Sequence, residues 1–239
     1  MPSPQPHLVL GLDASSSRCS VVLWSEDQGC VLAGIEREGP TGDAARLPGM
    51  VAELLASRGL AVKDLSIVAV SVGPGSFTGL RASLAFGQGL AAGAGIRVIG
   101  VTVAEALAVA ARGEAGIEAG LPLWCALDGR QGRLFLQCGG APEAWEVVSL
   151  TDPPRPQGPI GLTGDAAAAL GSVLRERGAA ALITNARVCH AREVAIAGVT
   201  RAQGHLAPLA ATPLYIDPPR ALPPKGGLRP PPREAAQAS

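Results

Sequence analysis

Residues 67–79 read IVAVSVGPGSFTG, and this stretch decides the fold. Residues 67–72 form an uninterrupted apolar run rich in β-branched side chains, which is typical of a strand buried on both faces of a parallel sheet. Glycines and a proline then turn the chain, and Ser76 or Thr78 can cap a helix that is predicted to run through about Ala94. The order of strand, tight turn and helix predicts an α/β protein.

The tight turn itself has two interpretations. It comprises Gly73, Pro74, Gly75, Ser76, Phe77, Thr78 and Gly79. A helix N-terminus after glycines can bind a phosphate, yet this sequence is neither a Walker loop, since no lysine follows, nor a GxGxxG fingerprint. The favoured interpretation is a rigid turn that packs the helix closely on the sheet. In that case Gly75 or Gly79 is expected in a backbone region closed to residues with a Cβ.

The elements on either side of this stretch extend the α/β pattern. Strands are predicted at 8–13, 18–25, 31–38 and 97–100, and a further helix at 103–112. Asp43 can cap an earlier helix, in which Pro48 is tolerable only near the first turn. Four apolar side chains fall on one face of that helix: Leu47, Val51, Leu54 and Leu55.

The second half of the chain repeats this order. Strands are predicted at 121–128, 133–138, 144–150 and 180–184, with helices at 165–177 and 190–203. The order β-β-β-α-β-α therefore occurs twice. Asp13 with Arg18 five residues later is echoed by Asp128 with Arg133, which favours an internal duplication. We expect one subdomain at 1–103, a second at 104–216, and a disordered Pro-rich tail at 217–239, which cannot bury a core.

Composition limits the class of function. The chain has 239 residues with 20 basic and 20 acidic side chains, so it lacks the positive field that phosphate backbones reward. No segment is predicted to span a membrane or to act as a signal peptide. The five cysteines match neither a zinc site nor a disulfide scaffold, and Cys19, Cys125 and Cys138 are expected to be buried. A cytoplasmic location is predicted.

A family resemblance rests on several motifs. GPGSFTGLR at 73–81, with the small-residue helix and the GVT at 100–102 that follow it, resembles the TsaB (YeaZ) family. The opening LDASSSRCSVVLW at 12–24 resembles that family's first strand–turn–strand, and PLY at 213–215 resembles its closing segment. DGR at 128–130 resembles the start of its second half, where alanine usually separates the Asp and Arg. The resemblance implies the duplicated RNase H-like fold of the actin and sugar-kinase group (ASKHA).

The resemblance also implies a non-catalytic role in making threonylcarbamoyladenosine beside the tRNA anticodon. In such systems the TsaD subunit carries the active site and the TsaE ATPase completes the complex. ATP and metal are therefore expected on the partner subunits, with no cofactor on this chain. Contact with tRNA is expected only through the complex, and a homodimer is possible in isolation.

Family members dock to TsaD through their first two helices, which suggests docking residues here. The predicted set is Leu47, Met50, Val51, Leu54, Arg81, Ala82, Ala85 and Gly89. The small side chains of the second helix, with Gly93, would let partner helices approach closely as a four-helix bundle. Met50→Glu is expected to abolish partner binding while the chain stays folded.

Residues for catalysis are harder to find in the sequence. The histidines are His7, His190 and His205, and no two lie at the one-turn spacing that the catalytic relatives use for a metal. Asp13 is followed by Ala14 and serines where ATP-binding relatives carry glycine, so a turn-forming aspartate is favoured over a nucleotide ligand. Whether nucleotide binds stays open.

Two departures from the family and two alternative functions remain. PTGD at 40–43 replaces a polar pair before the first helix, and Asp217 replaces an arginine after the closing tyrosine. The alternatives are an enzyme, either a small ATP-dependent kinase or a glycoprotease-like peptidase, and a free-standing structural homodimer.

Overall fold

The computed structural model describes residues 7–39, 44–139 and 141–216. The first half contains β1 (Leu8–Asp13), β2 (Arg18–Ser25), β3 (Cys30–Glu38), α1 (Leu47–Ala56), β4 (Ile67–Gly73), α2 (Phe77–Ala94), β5 (Arg97–Thr102) and α3 (Val103–Arg112). The second half contains β6 (Leu123–Asp128), β7 (Arg133–Gln137), β8 (Glu146–Ser149), β9 (Ile160–Thr163), α4 (Ala167–Glu176), β10 (Ala181–Ile183) and α5 (Ala191–Ala202). None of these helices is long and apolar enough to cross a membrane.

The strands form two five-stranded sheets of the same design. Their orders are β3-β2-β1-β4-β5 and β10-β9-β6-β7-β8. In each sheet three consecutive strands pair antiparallel, and the remaining two add in parallel beside the first of them. This is the duplicated RNase H-like arrangement, so both the predicted fold class and the predicted internal duplication are confirmed.

Side-chain alternation along the central strands of the first sheet builds two cores. Leu10 and Leu12 of β1, with Val68 of β4, point into a core shared with α1 and α2. Val9 and Ala69, which alternate with them, point into a second core shared with α3 and α5. Because successive side chains of a strand face opposite sides, both faces of this sheet are buried. That explains why β1 and β4 read as continuous apolar runs.

Helix α5 follows the second sheet in the chain but packs on the first sheet. Gly11 and Gly198 permit a very close approach, since a Cβ on Gly11 would overlap the Ala191 carbonyl and a Cβ on Gly198 would lie 2.5 Å from the Ala69 side chain. The buried Arg201 of α5 also forms an ion pair with Glu105 of α3. The two halves are thus joined through these helices, and the predicted boundary at 103/104 stays a prediction.

The second half departs from the predicted element order. A strand that the sequence did not predict, β9, precedes α4, and no helix lies between β8 and β9 within the described residues. The connecting segment is rich in proline, which removes backbone donors and breaks helices. Its prolines are Pro153, Pro154, Pro156 and Pro159. The duplication therefore includes both the sheet and its helices, but the described part of the second copy lacks the counterpart of α1.

Candidate functional site

The GPGSFTG turn packs against the turn between β1 and β2. The backbone N–H of Ser76 donates to the carbonyl oxygen of Ser15 over 2.6 Å. The Ser76 hydroxyl caps α2 by accepting from the backbone N–H of Gly79 over 3.3 Å. A Cβ on Gly75 would overlap the Ser15 carbonyl, and one on Gly79 would overlap the Ala14 carbonyl. These contacts favour the structural interpretation of the turn.

The expected backbone conformation of this turn was wrong in one respect. Neither Gly75 nor Gly79 has a positive φ, whereas Gly73 does, at 111°. Gly75 and Gly79 are required instead by the close approach of the neighbouring turn, which leaves no room for a side chain. Thr78, the second predicted cap, is exposed and does not cap the helix.

Asp13 ends β1 and is completely buried. Its Oδ1 accepts a hydrogen bond from the backbone N–H of Ser15 over 3.2 Å, as expected of a turn-forming aspartate. Burial raises the pKa of the Asp13 carboxyl, and the hydroxyls of Ser71 and Ser15 offset part of that rise. The carboxyl is therefore sealed behind the β1–β2 turn and stabilises that turn.

A cleft of about 1370 Å³ lies between the two halves. Its charged lining is mixed: Arg18, Glu38, Asp128, Arg130, Asp165 and Arg187. Arg18 pairs with Glu36 and Glu38 at 2.9 and 2.6 Å. The Oδ1 atom of Asp165 accepts from the backbone N–H of Asp128 over 2.9 Å. No group of three or more His, Cys, Asp or Glu side chains suited to a metal ion occurs in the described ranges.

The predicted docking residues divide between the two helices. The four on α1 are wrong as contact residues, because Leu47, Met50, Val51 and Leu54 are at most 4% exposed and pack on the first sheet. A partner cannot reach them while the core stays intact. On α2, Arg81, Ala85 and Gly89 are exposed and Ala82 is partly buried. The outward face of α1 instead carries Pro48, Gly49, Ala52, Glu53 and Ala56.

An aromatic cluster at the start of α2 was missed by the sequence analysis. The Arg81 guanidinium lies over the Phe77 ring at 3.8 Å from its centre, and its Nε donates to the Tyr215 hydroxyl over 2.6 Å. The two rings are 5.7 Å apart. The PLY motif and the GPGSFTGLR motif lie far apart along the chain, so local sequence does not predict the contact between them.

Three further expectations concern other positions. Cys19 and Cys125 are buried as expected, but Cys138 is exposed because it follows the end of β7. The family departures at 40–43 and at Asp217, and the tail at 217–239, lie outside the described residues.

Comparison with known proteins finds similarity both to the TsaD transferase family and to TsaB proteins. Residues 43–143 match a family model described as TsaD, tRNA N6-adenosine threonylcarbamoyltransferase. The chain is 35% identical over 127 residues to the tRNA threonylcarbamoyladenosine biosynthesis protein TsaB of Escherichia coli, covering 53% of this chain and 52% of that protein. The TsaB of Haemophilus influenzae is 36% identical over 43% of this chain and 42% of its own length. These matches span about half the length of the curated relatives.

A solved structure extends the similarity over most of the chain. YeaZ from Pseudomonas aeruginosa superposes with a TM-score of 0.69 at 26% identity, covering 88% of this chain and all of that one.

Proposed function

Because the chain belongs to the TsaB (YeaZ) family, we propose that it takes part in the biosynthesis of threonylcarbamoyladenosine in tRNA. It acts there as an accessory subunit without catalytic activity of its own. It binds and activates the catalytic TsaD subunit, and the TsaE ATPase completes the complex. The reaction places the threonylcarbamoyl group on N6 of the adenosine beside the anticodon.

The outward faces of α1 and α2 carry this proposal. Both helices pack their apolar stripes into one core on the same face of the first sheet. Their outward sides carry Glu53 and Gln88 but consist mainly of small residues, among them Ala52 and Ala56 on α1 and Ala85 and Gly89 on α2. Small side chains let a second pair of helices approach closely, as in a four-helix bundle.

The closed environment of Asp13 supports an accessory role over a kinase. The carboxyl is buried beneath the β1–β2 turn, and the carbonyls of Ala14 and Ser15 press against the glycines of the next turn. A nucleotide phosphate approaching Asp13 would have to displace these contacts. ATP and metal are accordingly assigned to the partner subunits.

The remaining partners follow from charge and surface. The net charge of zero gives little long-range attraction for tRNA, so tRNA is contacted through the complex. In isolation the same small-residue faces pair two copies of the chain, and TsaD competes with that homodimer. We expect the complex to work in the cytoplasm.

Two charge substitutions test the docking surface. Ala52→Glu and Ala85→Glu each place a carboxylate on an exposed small-residue face, and Ala168→Glu on the exposed side of α4 is the matched control. Each test variant should weaken TsaD binding at least about tenfold, or about 1.4 kcal/mol, measured by titration calorimetry. All three isolated variants should melt close to the wild type, because surface substitutions change stability little. Wild-type affinity in both test variants would exclude this surface.

A further inference from the structure

The Phe77–Arg81–Tyr215 cluster continues the exposed face of α2. Phe77, Arg81, Ala85 and Gly89 follow one another at intervals of four residues, which places them along one side of the helix. Phe77 and Tyr215 are 45% and 43% exposed, which is unusual for aromatic side chains in a chain with so few of them. The cluster therefore forms the aromatic, charged end of a side of α2 that continues with the small residues Ala85 and Gly89.

The closing segment of the described chain holds this cluster in place. The backbone N–H of Leu214 donates to the carbonyl oxygen of Val72 over 2.8 Å. The Gln88 side chain on α2 donates to the carbonyl oxygen of Ala211 over 2.7 Å. A Cβ on Gly100 would lie 2.5 Å from the Ala210 carbonyl oxygen, so the glycine makes room for this segment. Tyr215 is thus fixed by its neighbours before any partner binds.

Arg81 is preorganised but its charge is not neutralised. Its Nε donates to Tyr215 and its guanidinium lies over the Phe77 ring, while the side chain as a whole is exposed. It forms no ion pair with an acidic side chain in the described part of the chain. A guanidinium in this setting has lost side-chain freedom in advance, which lowers the entropic cost of a further contact.

We propose that the Phe77–Arg81–Tyr215 cluster is an anchor site for an acidic side chain of the catalytic partner subunit. The two terminal nitrogens of Arg81 match the geometry of a carboxylate, and the flanking rings hold the guanidinium in place for that contact. This rests on the proposed function, because the site lies on the same helix face as the proposed helix–helix contact. It adds the chemistry that fixes the register of that contact.

A protein carboxylate suits the surroundings better than an RNA phosphate. The next exposed positions along the face are Ala85 and Gly89, which offer no charge to a neighbouring phosphate. RNA phosphates are closely spaced along the backbone, so they bind tightly to surfaces that present several cations together. A single fixed arginine beside two aromatic rings matches the enrichment of arginine and aromatic residues at protein–protein contact centres.

The test compares matched variants in binding to purified TsaD from the same organism. Arg81→Gln removes the charge, Tyr215→Phe removes only the hydroxyl, and Arg97→Gln is an exposed arginine control on β5. Arg81→Gln should weaken binding at least about tenfold, Tyr215→Phe less, and Arg97→Gln less than about twofold. The difference in TsaD affinity between the wild type and Arg81→Gln should become smaller when the salt concentration is raised to about 1 M, because salt screens an exposed ion pair.

The other outcomes overturn the proposal. Wild-type affinity for Arg81→Gln, with its melting temperature unchanged, would exclude Arg81 as an anchor while leaving the accessory role intact. An effect that disappears when the chain is truncated after Ile216 would mean that Arg81 pairs with this chain's own tail. Loss of tRNA binding by the assembled complex, with subunit affinity unchanged, would mean that an RNA phosphate is the partner. Failure of the wild type to bind TsaD would reject both this site and the proposed function.

Discussion

The backbone N–H of Ser76 donates to the carbonyl oxygen of Ser15, and this 2.6 Å hydrogen bond joins the turn before α2 to the turn after β1. Both turns also line the cleft between the two halves. The start of α2 is therefore held rigidly on the sheet, which orients the outward face proposed to meet the partner.

Alanine substitutions at the glycines of this turn should separate packing from helix propensity. Gly75→Ala and Gly79→Ala would push a Cβ into the carbonyls of Ser15 and Ala14, respectively. Each should therefore lower the free energy of unfolding by about 1–3 kcal/mol. Gly89→Ala, in the middle of α2 with nothing within 4 Å of its Cβ, should raise it by up to about 1 kcal/mol. Urea unfolding measures all three, and equal effects would contradict the packing account.

The Ser76 hydroxyl should act as a helix cap and not as a phosphate ligand. Ser76→Ala removes the acceptor for the Gly79 N–H and should cost about 1 kcal/mol, or about 2–4 °C in melting temperature for a chain of this size. The deficit should be the same with and without ATP. A wild-type melt that rises with ATP, and a Ser76→Ala melt that does not, would show that the turn binds phosphate.

The buried Asp13 carboxyl should leave a mark on the pH dependence of stability. Burial raises the pKa of Asp13 in the folded state above its usual value of 3.8. At pH values between 3.8 and the raised pKa, the native state therefore holds more protons than the unfolded state. The contribution of Asp13 to stability therefore falls as pH rises through that interval. Asp13→Asn keeps an acceptor for the Ser15 N–H but does not titrate. In urea unfolding from about pH 4 to 7, the free energy of unfolding of the variant should rise relative to that of the wild type as pH rises. A difference that stays constant with pH would contradict this.

The five thiols should differ in reactivity. Cys30 and Cys138 are exposed, whereas Cys19, Cys125 and Cys189 are buried. Burial raises the pKa of Cys125 to about 12 and that of Cys189 well above its usual value. Although Cys138 is an exposed residue, desolvation of its thiol and the charge of Glu146 raise its pKa to about 11, so it should react more slowly than Cys30. Alkylation of the native protein followed by peptide mass spectrometry tests this order, and rapid labelling of Cys189 would contradict it.

The fold was largely predictable because the first half follows simple rules. The apolar runs of β1 and β4 and the glycine turn before α2 specify a buried parallel pair and its crossover. The short strand β9 was missed because its four residues carry no alternation and follow a proline-rich segment. Local sequence holds little information about a strand whose partners lie far along the chain.

The surface was less predictable because a helical apolar stripe does not say what covers it. The stripe of Leu47, Val51, Leu54 and Leu55 suits either a core or a partner, and the structure places it in the core together with Met50. Met50→Glu is now expected to unfold the chain. The contact between Arg81 and Tyr215 spans 134 residues, and no local pattern could have predicted it.

Reconstituted threonylcarbamoyl transfer to tRNA tests the central claim most directly. The purified chain should transfer no group by itself, while the chain with TsaD and TsaE should modify tRNA at a rate that depends on its concentration. Ala85→Glu should reduce that rate, and Ala168→Glu should not. Transfer by the chain alone that is lost in Asp13→Asn, or a TsaD–TsaE mixture that is equally active without the chain, would contradict the account.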